Sequence, residues 1–85
     1  MHAEHRFVLA DFVCRADAGP LRIYEAGRAY PMPPAVARAA ARRGLVAETR
    51  PACWIRPSLL RQPEVLSERE LDAAGAELPE AMPTA

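Results

Sequence analysis

Short apolar runs, broken by glycine and proline, fill the first half of the chain. Residues 7–14 are apolar on both faces of an extended chain, which predicts a strand that is central or covered by a partner. After the turn at Gly19-Pro20, residues 21–24 alternate between apolar and polar side chains and predict a second strand. Gly27 predicts the next turn, because glycine takes a positive φ at little cost.

The pattern then changes from strand to helix and back. Residues 28–32 predict a short third strand, placed at a sheet edge because Pro31 has no N–H to donate. Pro33-Pro34 suits the first turn of a helix, and the alanine-rich residues 35–43 continue it. Gly44 is suited to end that helix, and residues 45–48 predict a closing strand.

From Thr49 onward, prolines divide the chain into short pieces. The spacing of Ser67 and Glu70 predicts a capping box that begins a short helix at about 67–75. We therefore expect a small α+β domain over residues 5–50, with a β-hairpin or meander, one short helix and a closing strand. Residues 51–85 are predicted to form an extended proline-rich C-terminal arm that carries the second helix.

Charge is balanced over the whole chain but not along it. Arginine supplies all 11 basic side chains, against 11 acidic ones. Residues 1–45 hold seven arginines and four acids, whereas residues 46–85 hold four arginines and seven acids. This division predicts that the acidic tail folds back on the basic body, or on the body of a neighbour. The zero net charge argues against general nucleic-acid binding.

The sequence offers little for catalysis, and we expect neither enzyme activity nor a cofactor. Cys14 and Cys53 are expected to be free, buried thiols, with a disulfide as the alternative. His2 and His5 lack the helical spacing of a metalloprotease pair, so no metal site is predicted. Asp11 is interpreted as an outward-facing charge that blocks stray strand pairing.

Partner binding is the better hypothesis. Arg38 and Arg42 lie one helical turn apart, so they share a face that could contact a partner, a phosphate backbone or the acidic tail. Trp54, the only tryptophan, is expected to hold the tail against the body. The predicted partner-binding residues are Arg38, Arg42, Arg43, Trp54, Leu59, Leu60 and Leu71.

The first ten residues contain charged side chains and histidines, unlike a secretory signal. No apolar run approaches the roughly 18 residues of a membrane span. We therefore expect a protein made in a reducing cytoplasm and without membrane contact.

Residues 7–48 resemble a class of small tailed-phage and prophage proteins, and comparable proteins of gene transfer agents. The shared pattern is an apolar strand, Y-x-x-G-x-x-Y/F-x-x-P, a short helix beginning near V-A, and a closing strand like G-L-A-E. The helix here differs in carrying alanines and arginines. The residues that carry the resemblance are Tyr24, Gly27, Pro33, Val36, Gly44 and Leu45.

The resemblance implies a non-enzymatic virion component. Such proteins are encoded among the genes for capsid and head–tail connector functions. By this reading the chain binds capsid, portal or connector subunits, through its arginine-bearing helix and C-terminal arm, within a homo- or hetero-oligomeric particle. The alternative is a small regulatory or nucleic-acid-associated module of the bacterial cytoplasm.

Overall fold

A computed structural model describes residues 3–15, 19–58 and 60–77 of the chain. Within these ranges the strands are β1 (Glu4–Val8), β2 (Phe12–Cys14), β3 (Arg22–Tyr24), β4 (Ala29–Met32), β5 (Val46–Ala47) and β6 (Glu64–Leu66). The helices are α1 (Pro34–Arg42) and α2 (Glu68–Glu77). The predicted α+β class is confirmed, and β1 begins earlier than expected, inside the polar lead-in.

The strands form two three-stranded sheets, each built around a strand from the beginning of the chain. In the first sheet β1 pairs antiparallel with both β4 and β5. In the second, β2 pairs antiparallel with β3 and parallel with β6. Strand β4 lies at an edge, as expected for a strand that contains Pro31.

The two sheets share one long, bent hairpin. Glu4 faces Met32 at one end and Cys14 faces Arg22 at the other, and the same register holds throughout. The predicted single strand over residues 7–14 is therefore divided between β1 and β2. For the same reason β3 and β4 lie in different sheets and do not pair with each other.

A bulge at Gly27 explains the division. Val8 donates to the Arg28 carbonyl at 2.9 Å, and its own carbonyl accepts from the Gly27 N–H at 2.9 Å. Gly27 and Arg28 thus both bond to Val8 as in a bulge, and Gly27 has the positive φ of 92° that this favours. The register is nevertheless the same on both sides of the bend, because residues 9–11 of one arm lie opposite residues 25–27 of the other. A bulge bends the strand and increases its twist, so β1 and β2 leave the bend in different sheets.

Helix α1 begins and ends as its sequence predicts. Pro33 is the N-cap and Pro34 occupies the first turn. At the other end Gly44 has a φ of 72°, its N–H bonds the Ala41 carbonyl at 3.0 Å, and the Leu45 N–H bonds the Ala40 carbonyl at 2.9 Å. This is the Schellman arrangement, which satisfies carbonyls that the helix leaves unpaired.

Residues 64–77 pack into the same fold as the preceding elements and do not form the separate arm that the sequence predicted. Strand β6 pairs with β2, and Leu66 is buried. In α2, Leu71 and Ala74 are buried in the same core, and a Cβ at Gly75 would lie 3.7 Å from that of Ala35 in α1. The small side chains of α1 permit this close packing. The core is formed by Val8, Phe12, Cys14, Tyr24, Met32, Val36, Ala37, Ala39, Ala40, Leu45, Val46, Leu66, Leu71 and Ala74.

Three glycine-to-alanine variants test this description. Gly27→Ala is expected to lower the free energy of unfolding most, because a Cβ there meets a positive φ and the Trp54 ring at 3.3 Å, and it displaces the Arg56 guanidinium, whose Nη2 lies 2.6 Å away. Gly44→Ala retains only the φ strain, of about 1–2 kcal/mol, since nothing lies within 4 Å of its Cβ. Gly75→Ala, in α2, should stabilise by about 0.5–1 kcal/mol. Urea denaturation gives the ranking, and equal losses at Gly27 and Gly44 would contradict the close packing of the Trp54 ring against Gly27.

Candidate functional site

The two cysteines differ in exposure and are both free. Cys14 is 1% exposed, and burial raises the pKa of its thiol. Cys53 is exposed. The prediction of free thiols is confirmed, but the prediction that both are buried is wrong for Cys53, because residues 51–53 lie in an exposed turn.

Asp11 holds the bend of the hairpin together. Its Oδ1 accepts a hydrogen bond from the Ala26 N–H at 2.7 Å, and its side chain is partly buried. The interpretation of Asp11 as an outward edge charge is therefore wrong. The carboxylate instead supplies an acceptor to a backbone N–H at the bend, where the strand ladder is interrupted.

Arg43 joins the end of α1 to the C-terminal elements. Its Nε and Nη2 donate to the two oxygens of Glu70 at 2.9 and 3.1 Å, and its Nη1 donates to Glu64 at 2.8 Å. Nη2 also donates to the Val65 carbonyl at 2.9 Å, on the outer edge of β6. The sequence left three possible roles for the arginines. Arg43 takes the one within the chain, because it pairs with the acidic tail.

Glu70 bonds both Ser67 and Arg43 at the start of α2. It accepts from the Ser67 N–H at 3.1 Å, while the Ser67 hydroxyl accepts from the Glu70 N–H at 3.1 Å, which confirms the capping box. The hydrogen bonds from Arg43, and then the one from the Ser67 backbone, lower the pKa of Glu70 to about 2.

The other two arginines of α1 have exposed side chains. Arg38 lies on the surface of the helix, and Arg42 lines a shallow cleft with Ala39, Glu70 and Ala73. Both take part in interactions within the chain. Their exposure leaves partner contact by Arg38 and Arg42 as a prediction.

Trp54 attaches the proline-rich segment to the body. Its Nε1 donates to the Leu9 carbonyl at 3.0 Å, and its ring meets Phe7 edge-on at a centroid distance of 5.1 Å. The guanidinium carbons of Arg50 and Arg56 lie 5.4 and 5.8 Å from the Trp54 ring centroid. The expectation that Trp54 holds the segment against the body is confirmed.

Arg56 makes a second attachment beside Trp54. Its Nη1 donates to the Ala26 carbonyl at 3.0 Å, directly across from the Asp11 contact. Two side chains of one segment therefore bond backbone groups at the bend. Nothing in the sequence pointed to Arg56 except its position two residues after the tryptophan.

The segment held in this way displays large aliphatic side chains. Ile55 is 83% exposed and Leu60 is 94% exposed. Leu59, the neighbouring predicted contact, lies outside the described residues. Leu71 differs from its predicted role, because it is only 5% exposed and packs in the core.

A second apolar surface was not assigned from the sequence. Ile23, Val13 and Val65 lie side by side across β3, β2 and β6, on the face opposite the core. Leu21, two residues before Ile23, extends this row and is also exposed. The alternation in residues 21–24 identified the face of Leu21 and Ile23, but only the pairing with β6 shows that the row continues.

Comparisons of this chain with protein-family models, curated proteins and solved structures gave no match. The resemblance to small phage proteins thus stays a prediction from the sequence. Neither helix in the described part of the chain is long and apolar enough to cross a membrane.

The contrast between the cysteines predicts a two-step thiol titration. In the folded protein, a neutral-pH thiol reagent should label Cys53 rapidly and Cys14 only after denaturant is added, since burial hinders access and raises the pKa of Cys14. The Cys53→Ser variant is the control and should show no rapid phase. Rapid labelling of both thiols in the native protein would contradict the buried position of Cys14.

The contacts of Glu70 predict an acid-sensitive contribution to stability. Because folding lowers the pKa of Glu70 from 4.5 to about 2, the contribution is fully present above pH 4.5 and is lost as pH falls towards 2. The free energy of unfolding of wild type minus that of Glu70→Gln should therefore shrink over this window. A difference that stays constant from neutral pH to pH 2 would show that Arg43 does not hold the carboxylate in solution.

Proposed function

We propose that this chain is a non-enzymatic structural or accessory component of a phage or phage-like particle. In this role it binds a capsid, portal or head–tail connector subunit. The pattern shared by residues 7–48 with small phage proteins supports the class of particle. The surface that binds is formed by residues 50–58 and 60–62, defined here as the anchor segment.

The observation that carries this proposal is the exposure of Ile55 and Leu60 on a segment that is itself attached. Trp54 and Arg56 bond backbone groups of the hairpin on either side of Ile55. Aliphatic side chains on an attached segment lose less conformational entropy on binding than those on a free chain. Burying each would contribute about 1.5–3 kcal/mol to association.

The contacts of Arg43 disfavour the alternative of a nucleic-acid-associated module. Of the three arginines on α1 that could contact phosphates, Arg43 has its donors directed to two carboxylates of its own chain. Those carboxylates would also lie close to any bound phosphate backbone. The proposal keeps Arg38 and Arg42 as polar contacts to a protein partner.

Co-sedimentation with particles tests the proposed function. The tagged full-length chain, expressed in a particle-producing host, should migrate with particles through a density gradient. The Ile55→Ser and Leu60→Ser variants should each reduce the particle-bound fraction, with affinity falling at least about tenfold.

Ile23→Ser is the matched control, since it makes the same change at an exposed aliphatic residue on another surface. It should leave the particle-bound fraction unchanged. If the chain never migrates with particles but binds duplex DNA in a salt-sensitive manner, the proposed function fails and the alternative replaces it. If Ile23→Ser releases the chain as fully as Ile55→Ser, the anchor segment is not the binding surface.

A further inference from the structure

Across the residues that the structure describes, the outer side of the second sheet is apolar and largely exposed. Its inner side is buried through Phe12, Cys14, Tyr24 and Leu66, so the residues that alternate with these point outward. We define the outer sheet face as Val13, Leu21, Ile23 and Val65. Val13 is partly buried, whereas Leu21, Ile23 and Val65 are 54, 62 and 61% exposed.

We propose that the outer sheet face binds the same face of a second copy of this chain, in a two-fold symmetric sheet-on-sheet dimer. The inference does not rest on the proposed function, since it uses a different surface. Aligned packing of two sheets is a standard way to bury such a row of aliphatic side chains. The row takes one residue from each of three strands plus Leu21, so a second copy presents a row of the same length and chemistry.

Charge at the two ends of the face favours a second copy as the occupant. Arg15 follows Val13 by two residues and is exposed at one end, and Glu25 follows Ile23 by two residues and is exposed at the other. When the two faces meet with their strands antiparallel, Arg15 of one copy lies over the Glu25 end of the other. Glu25 already pairs with Arg28, but at 3.7 Å and with both side chains exposed, which is a weak contact.

The area of the face sets the strength of the dimer. Three half-exposed aliphatic side chains offer roughly 300 Å² of apolar surface, at the lower end of the range for the largest apolar patch on a typical monomer. Even with the surrounding rim residues included, the surface buried between two copies would be less than the roughly 1,200–2,000 Å² that stable interfaces bury. We therefore expect a reversible, concentration-dependent dimer.

Strand-to-strand pairing at the β6 edge is disfavoured by Arg43. The Val65 carbonyl, which points away from β2, already accepts a hydrogen bond from Arg43 at 2.9 Å. An added strand at this edge would have to displace that contact and both carboxylates that hold Arg43. Contact through the face requires no such rearrangement.

Sedimentation equilibrium of the full-length chain, from about 1 μM to about 1 mM, tests the proposal. We expect a monomer–dimer equilibrium in which Ile23→Ser and Val65→Ser each raise Kd about tenfold or more. Ile55→Ser, on the anchor segment, is the matched control and should leave Kd unchanged. At low salt Arg15→Glu should weaken the dimer, and adding Glu25→Arg should restore it.

A measurement on the unmodified protein guards against variants that fail to fold. Amide chemical shifts should change with protein concentration at Val13, Leu21, Ile23 and Val65, and much less at Ile55. A chain that stays monomeric at about 1 mM would overturn the proposal. So would a dimer whose concentration-dependent shifts lie elsewhere. If the amide shifts of the outer sheet face change only when particle subunits are added, the face binds a particle subunit and not a second copy. That result would also overturn the proposal.

Discussion

The fold depends on one interruption of backbone pairing, at the point where the long hairpin bends. There the Leu9 carbonyl bonds Trp54, and the Ala26 N–H and carbonyl bond Asp11 and Arg56. A buried backbone group without a partner costs about 1–3 kcal/mol, so a bend without these side chains would be expensive. The same contacts hold a proline-rich segment that forms no ladder of its own. The bend and the segment therefore stabilise each other.

Local signals in the sequence predicted most of the helices and strands, but they could not predict which distant strands pair. Pro33-Pro34, Gly44 and the Ser67–Glu70 spacing located both helices, because each acts on backbone within a few residues. The parallel pairing of β6 with β2 joins residues far apart in the chain, and no local pattern encodes it. The division of residues 7–14 was missed because an apolar run looks the same whether it continues straight or bends at a bulge.

The candidate surfaces show the same limit. Charge division along the chain predicted contact between the basic half and the acidic half, and Arg43 makes that contact. Composition could not distinguish Arg43 from Arg38 and Arg42, since only the position of α2 decides which arginine meets the carboxylates. Likewise, nothing in the sequence distinguishes Leu71 from Leu60, yet Leu71 is buried in the core and Leu60 is exposed.

The parallel pairing of β2 with β6 has a consequence for biosynthesis. As the chain leaves the ribosome, β1 to β5 and α1 emerge before residues 64–77 do. Until then, the edge of β2 that pairs with β6 has no partner strand. The core residues of α1 that pack with Leu71 are also not yet covered. Open strand edges and bare apolar surface are what chaperones and proteases recognise, and long-range pairing is slow to form. The pairing of β6 with β2 therefore closes a strand edge and, through α2, covers an apolar surface that would otherwise favour aggregation.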